Sequence, residues 1–202
     1  KLLVVYKAAF TCAFSLFSVG TIYFLQYNLG LDNKYSSYVY VFTIVIFIVS
    51  TPIIEKMALL KGKAWQQMVV MGSCGIAGVL IYLFASDSVV GCAVYIGIFA
   101  VVQTGFWQVS NSIFYDIVEV DEYVNMKRRE GDIMSVVSVL GTLITAIMVW
   151  AFGVLFDAAG FDAKLTAQPE SVVSFLNTAY ILIPCLCLFA GAAALKLFPI
   201  NK

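Results

Sequence analysis

Gln103, Trp107 and Asn111 are spaced four apart within an apolar run, so on a helix they stack along one face. Thr104, Gln108 and Ser112 form the stripe beside them. Two amides and an indole on one face, with a third amide next to it, suit recognition of a polyhydroxylated ring. Amides both donate to and accept from hydroxyls, and an aromatic face packs on the apolar face of a sugar. The same side chains can instead serve as hydrogen-bonding glue between membrane helices. Six polar residues in the ten positions 103–112 exceed what glue requires, and the pattern favours a solvated cavity. A second stripe, Ser135, Ser138, Thr142 and Thr145 with Gly141 beside it, reads as a close-packing surface, with cavity lining as the alternative. Thr11, Ser15 and Ser18 share a face of the first apolar run. Tyr23, Tyr27 and Trp65 fit an interfacial aromatic belt, and Trp150 fits packing.

The elements that position these residues are membrane helices. Hydrophobic residues make up 62% of the 202-residue chain, against roughly 45–50% in soluble domains. A spanning helix needs about 20 mostly apolar residues. Six segments qualify, 2–29, 36–57, 65–85, 88–117, 133–156 and 172–197, and together they make an all-α membrane protein. The first and fourth exceed the minimum and must tilt or protrude. Pro52 and Pro184 fall inside spans, where neighbouring helices tolerate a kink.

Absences narrow the chemistry. With no histidine there is no imidazole acid–base catalysis and no His-ligated metal. Cys12, Cys74, Cys92, Cys185 and Cys187 all lie in apolar runs without zinc-site spacing, and they read as packing residues. No acid or base falls near the middle of a span, so the chain offers no intramembrane carboxylate for a coupling ion. No catalytic base, nucleophile pair, metal site or cofactor is expected, and no nucleic-acid partner.

Charge is concentrated between the fourth and fifth spans. Eight of the 24 charged residues fall within positions 116–131, which reads as a loop at a membrane face. With six spans both ends of the chain lie on one side. That side receives Lys1, Lys7, Lys56, Lys61, Lys63, Lys127, Arg128, Arg129, Lys196 and Lys202, and the other receives Lys34 and Lys164. Ten against two makes the richer side cytoplasmic. Topology needs only the cations. The interleaved Asp116, Glu119, Asp121, Glu122 and Glu130 favour an ionic gate over a merely solvated loop.

Asp116-Ile-Val-Glu119-Val-Asp-Glu122 followed by Lys127-Arg-Arg-Glu-Gly131 resembles the charged signature of the glycoside–pentoside–hexuronide:cation symporters, the melibiose permease-like family of the major facilitator superfamily. The turn Lys61-Gly62-Lys63 is similar to that superfamily's basic loop motif. The resemblance covers the whole chain as the C-terminal half of a twelve-helix fold, and Lys1 in place of Met reads as a cut in a longer protein. It implies that Trp107 stacks near a sugar, that Ser138 faces the same cavity, and that Asp116, Glu119, Glu122 and Arg128 close the cytoplasmic side. It also implies that the coupling cation, Na⁺ or H⁺, is bound by the N-terminal half. The chain departs from many members at Thr142, where they carry a lysine.

The resulting expectation is cation-coupled symport of a sugar or glycoside by alternating access in the cell inner (plasma) membrane. Gln103, Trp107, Gln108 and Asn111 line the substrate cavity with Ser138 and Thr142 opposite. Asp116, Glu119, Glu122, Arg128 and Arg129 form the gate. The lipid bilayer and the N-terminal half are the partners. Two alternatives stand beside it: the same fold moving a lysolipid or other amphiphile, and a stand-alone six-helix membrane scaffold or channel subunit.

Overall fold

The computed structural model describes residues 2–86, 88–126, 129–165 and 168–197. Among these residues six helices are long and apolar enough to cross a membrane: α1 Leu2–Asn28, α2 Asn33–Lys61, α3 Lys63–Phe84, α4 Val89–Asn125, α5 Glu130–Ala158 and α6 Glu170–Lys196. No strand occurs among the described residues. Gly62 alone joins α2 to α3. Its φ of 92° is open to glycine but strained for other residues, and it turns the chain within one position.

The charged stretch departs from expectation. Instead of a loop, α4 continues through Glu119, Asp121 and Glu122 to Asn125, and α5 begins at Glu130. A helix already nucleated in the membrane gains one hydrogen bond per added residue, and outside the hydrocarbon its carboxylates are free to hydrate. Asn125 donates to Asp121 Oδ1 across 2.8 Å on the last turn. Met126, at φ 52°, then ends α4 in the left-handed conformation common just past a helix. Lys127 and Arg128 lie outside the described residues.

α1 and α4 form the middle of the bundle, joined by ring stacks. Phe10 lies on Phe106 with centroids 3.5 Å apart, and Phe17 on Phe99 at 4.0 Å. Phe10 and Phe17 on one helix, and Phe99 and Phe106 on the other, are seven apart, two turns on a single face. α6 packs against α1 and α3, α2 against α4 and α3, and α5 chiefly against α1. Tyr23, Phe152, Phe156, Phe161 and Phe175 cluster at the end opposite the basic turn. The expected belt tyrosines Tyr23 and Tyr27 are half-buried against that cluster, whereas Trp150, expected to pack, is 69% exposed. All five cysteines are free, and Cys74, Cys92 and Cys185 are buried as packing groups.

Pro184 explains the join between α6, α1 and α4. Proline has no N–H to return to the carbonyl four residues back, here that of Tyr180. The Tyr95 hydroxyl donates to that oxygen across 3.0 Å. A π-helical turn, Thr178–Leu182, carries Tyr180 inward. There it sits over Gly20, where a Cβ would lie 2.9 Å from Tyr180 Cδ2 and 3.3 Å from its Cβ. Phe17 and Phe24 flank the ring.

Two outcomes follow for thermal unfolding of the detergent-solubilised protein. Tyr95→Phe removes the donor from a buried carbonyl and is expected to cost about 1–3 kcal/mol. Gly20→Val drives a branched side chain into a ring whose own Cβ cannot retreat, and about 1–3 kcal/mol is expected again. Wild-type melting of Tyr95→Phe would show that the α4–α6 hydrogen bond contributes nothing, and of Gly20→Val that the α1–α6 contact yields without strain.

Candidate functional site

Contacts divide α4 into four faces. Phe99 and Phe106 meet α1. Gly105 meets α3, where a Cβ would lie 2.7 Å from Gln67 Oε1 and 2.8 Å from Gln66 Nε2. Thr104 meets α2: its hydroxyl and that of Ser50 are 2.9 Å apart in a hydrogen bond buried between the helices. The remaining face holds Gln103, Trp107 and Asn111, and no neighbouring helix covers it. Trp107 is 52% exposed and Asn111 is exposed, while Gln103 is half-buried.

The two polar stripes of α4 therefore serve different surfaces. Gln108 lies one turn beyond Thr104 on the α2-facing stripe. It is half-buried, and its Oε1 is fully enclosed without a hydrogen-bond partner. The structure does not bring it into the row formed by Gln103, Trp107 and Asn111. Ring packing fixes how that row is presented. Trp107 stands edge-on to Phe106 at 5.5 Å and to Phe14 of α1 at 6.2 Å, so the indole is braced from behind.

α1 supplies the floor beside this row. Lys7, Thr11, Phe14 and Ser18 follow one another at helical spacing on the side turned away from α6. Ser15, one position from Phe14, is buried and donates to the Thr11 carbonyl at 2.8 Å. Across α1 stands α5, with Gly141 facing Lys7. Ser138, Thr142 and Thr145 are exposed on α5. Thr142 donates to the Ser138 carbonyl and Thr145 to the Gly141 carbonyl, which leaves each hydroxyl oxygen able to accept. α4 and α5 thus flank α1, with amides and an indole on one and hydroxyls on the other.

Asp116 accepts both of its bonds from Lys63 Nζ, at 2.8 and 2.9 Å, and this braces α4 against the start of α3. The pair is 41% and 49% exposed, so its contribution to stability is no more than about 1 kcal/mol. Glu119, Glu122 and Arg129 are exposed, and none of them pairs with an opposite charge among the described residues. Lys61 lies over the Trp65 ring at 4.4 Å.

Two groups of residues escaped the sequence reading. Lys7 reads in the sequence only as a topology charge, yet its ammonium lies 5.2 Å from the centroid of the Phe114 ring on α4. Gln66 and Gln67 are wholly buried. Their amide ends converge on Gly105, and the buried hydroxyls of Tyr6 and Ser110 lie beside Gln67. Two amides one turn inside the third span were the available signal. Among the described residues no cluster of acids or cysteines could hold a metal ion.

The amides, the indole and the hydroxyls offer a polar molecule hydrogen-bond partners and a ring face. No curated protein matches the chain at a significant level. A family model described as MFS/sugar transport protein matches residues 1–202. Since that match runs the length of the chain, and the fold is a bundle of six membrane-spanning helices, the chain belongs to the MFS sugar-transport family, multi-pass membrane transporters of sugar-type substrates that are not enzymes and use no cofactor.

Proposed function

We propose that this chain is the C-terminal half of a twelve-helix symporter that carries a sugar or glycoside together with Na⁺ or H⁺. The observation that carries the reading is the open row on α4. No neighbouring helix covers this row, and Trp107 and Asn111 are exposed, although a polar side chain left toward lipid is costly. A second bundle laid across this face encloses the row in a cavity, with Ser138 and Thr142 on its far wall and Gln108 behind it. Rocking of the two halves about that cavity gives alternating access.

The coupling cation falls to the other half, because the acids of this chain lie toward the ends of its spans. The bias of basic residues supports cytoplasmic placement of both ends in the inner membrane. Asp116 and Lys63 hold the end of α4 in place, so that Glu119, Glu122, Arg128 and Arg129 can pair across to the other half in one state. Such pairs, made in one state and broken in the other, bias the equilibrium by the difference between the two.

Uptake into proteoliposomes tests the site. Trp107→Ala is expected to weaken sugar binding at least about tenfold, roughly 1.4 kcal/mol, with membrane insertion unchanged, and Trp107→Phe is expected to retain part of it. Wild-type affinity in Trp107→Ala would remove the indole from the site. The brace is tested by exchange: Lys63→Asp and Asp116→Lys each slow uptake, and the double exchange restores it. Additive loss in the double variant would mean that the two charges act separately.

A further inference from the structure

A pocket of about 440 Å³ lies between α3 and α6 at the end of the bundle opposite the basic turn, apart from the amide row of α4. Tyr82 and Leu83 of α3 line one wall, and Glu170, Ser174 and Asn177 of α6 line the other. Close packing sets where it begins. α3 and α6 meet at Gly75, where a Cβ would stand 3.0 Å from the Phe189 ring, and at Gly78, which Cys185 abuts. One turn past Gly78, Tyr82 and Leu83 border the pocket instead.

The α6 wall is held in place without a ligand. Ser171 donates to the Ala159 carbonyl at the end of α5 across 2.7 Å, and Asn177 Oδ1 accepts from Asn28 of α1. Gln168, at the rim, is spent on the preceding loop, since its amide donates to the Asp162 and Leu165 carbonyls. Asn177, its oxygen engaged, still has two amide N–H groups to give. Glu170, Ser174 and Asn177 follow at spacings of four and three, one face of a helix. The Glu170 carboxylate is exposed and joins no ion pair among the described residues, and no lysine or arginine lines the pocket.

Leu83 also belongs to a second feature. Ile76, Leu80 and Leu83 follow one face of α3, each more than half exposed, and form an apolar ridge that leads along the span to the pocket. A molecule that fills both pocket and ridge is an amphiphile with a cationic, hydrogen-bonding head.

We propose that this pocket binds the headgroup of phosphatidylethanolamine, its ammonium on Glu170, its phosphate on the Ser174 hydroxyl and the Asn177 amide, and its chains along Ile76, Leu80 and Leu83. Glu170 and Ser174 are separated by a rise of about 6 Å along the helix, comparable with the two-carbon link between ammonium and phosphate. A choline head has no N–H to give and is recognised by a cage of rings, of which Tyr82 offers a single wall. An anionic head would bring its charge against Glu170 with no lining cation to offset it.

The test strips the native transporter of lipid in detergent, then titrates it with phosphatidylethanolamine, phosphatidylglycerol and phosphatidylcholine, with bound lipid counted by native mass spectrometry. Wild type is expected to bind phosphatidylethanolamine most tightly. Glu170→Gln is expected to raise that Kd about two- to fivefold, as an exposed ion pair allows, and Glu170→Lys to turn the preference toward phosphatidylglycerol. Asp157→Asn, which removes an exposed acid of α5 at the same end, is expected to leave it unchanged. Equal binding of the three lipids by wild type overturns the proposal, and so does a preference that survives in both Glu170 variants. An equal loss in Asp157→Asn assigns the preference to net charge and overturns it as well. Glycerophosphoethanolamine, the head without chains, is the final arm: an affinity equal to that of the lipid makes this a site for soluble phosphoamines and overturns the lipid.

Discussion

In lipid an apolar side chain gains little by leaving hydrocarbon for another helix, so close packing and hydrogen bonds must hold a membrane bundle together. Here the decisive contact is the pair of ring stacks between α1 and α4. Phe10 on Phe106 and Phe17 on Phe99 fix both the separation and the rotation of the two helices. Everything at the open face follows from that rotation. With Phe106 turned into the stack, Trp107 emerges 100° further round, at the edge of the interface. Phe14, one turn past Phe10, emerges beside it and meets the indole edge-on. Lys7 and Thr11 then fall on the same open side of α1. Had the stack formed one residue out of register, the amide row would have been turned against a neighbouring helix.

The far side of the bundle is tied by a different device. Pro184 frees the Tyr180 carbonyl, the π-turn before it swings Tyr180 inward, and Tyr95 of α4 takes up the freed oxygen. A helix-breaking residue thereby becomes a point of attachment between α6 and α4, with Gly20 of α1 giving way to the ring. Asn28 donates to Asn177 across 3.0 Å near the same level and joins α1 to α6 a second time. α1, α3, α4 and α6 form the tightly joined part of the molecule. It is on this joined part that Gln103, Trp107 and Asn111 are mounted, which suits residues that must hold their geometry for a ligand.

Much of this was legible in the sequence, because membrane spans are set by length and apolarity alone. Six apolar runs gave six helices, and the four-residue spacing of Gln103, Trp107 and Asn111 gave their common face. What periodicity cannot supply is which way a face points. Gln108 sits in an equally polar stripe, yet the Ser50–Thr104 hydrogen bond turns that stripe toward α2. The charged stretch looked like a loop because its composition excludes it from hydrocarbon; composition says nothing against a helix that protrudes into water. Lys7 looked like one more basic residue at a membrane face until Phe114 and Gly141 showed which neighbours it meets. Arg128, expected to take part in a cytoplasmic gate, lies outside the described residues.

α2 and α5 contrast with that joined part. α5 is held chiefly by α1, and its Ser138, Thr142 and Thr145 stripe is exposed along with most of its apolar surface. α2 likewise leaves Tyr38, Ile44, Ile48, Val49 and Leu59 uncovered. Bare apolar surface is normal toward lipid and needs no further partner. A row of amides and hydroxyls is another matter, since no lipid tail can hydrogen-bond to it. α4 and α5 each carry such a row on either side of α1, and packing leaves Trp107, Asn111, Ser138 and Thr142 exposed. The amide row that this sequence can least leave to lipid is thus carried by α4, the helix that packs against α1, α2 and α3.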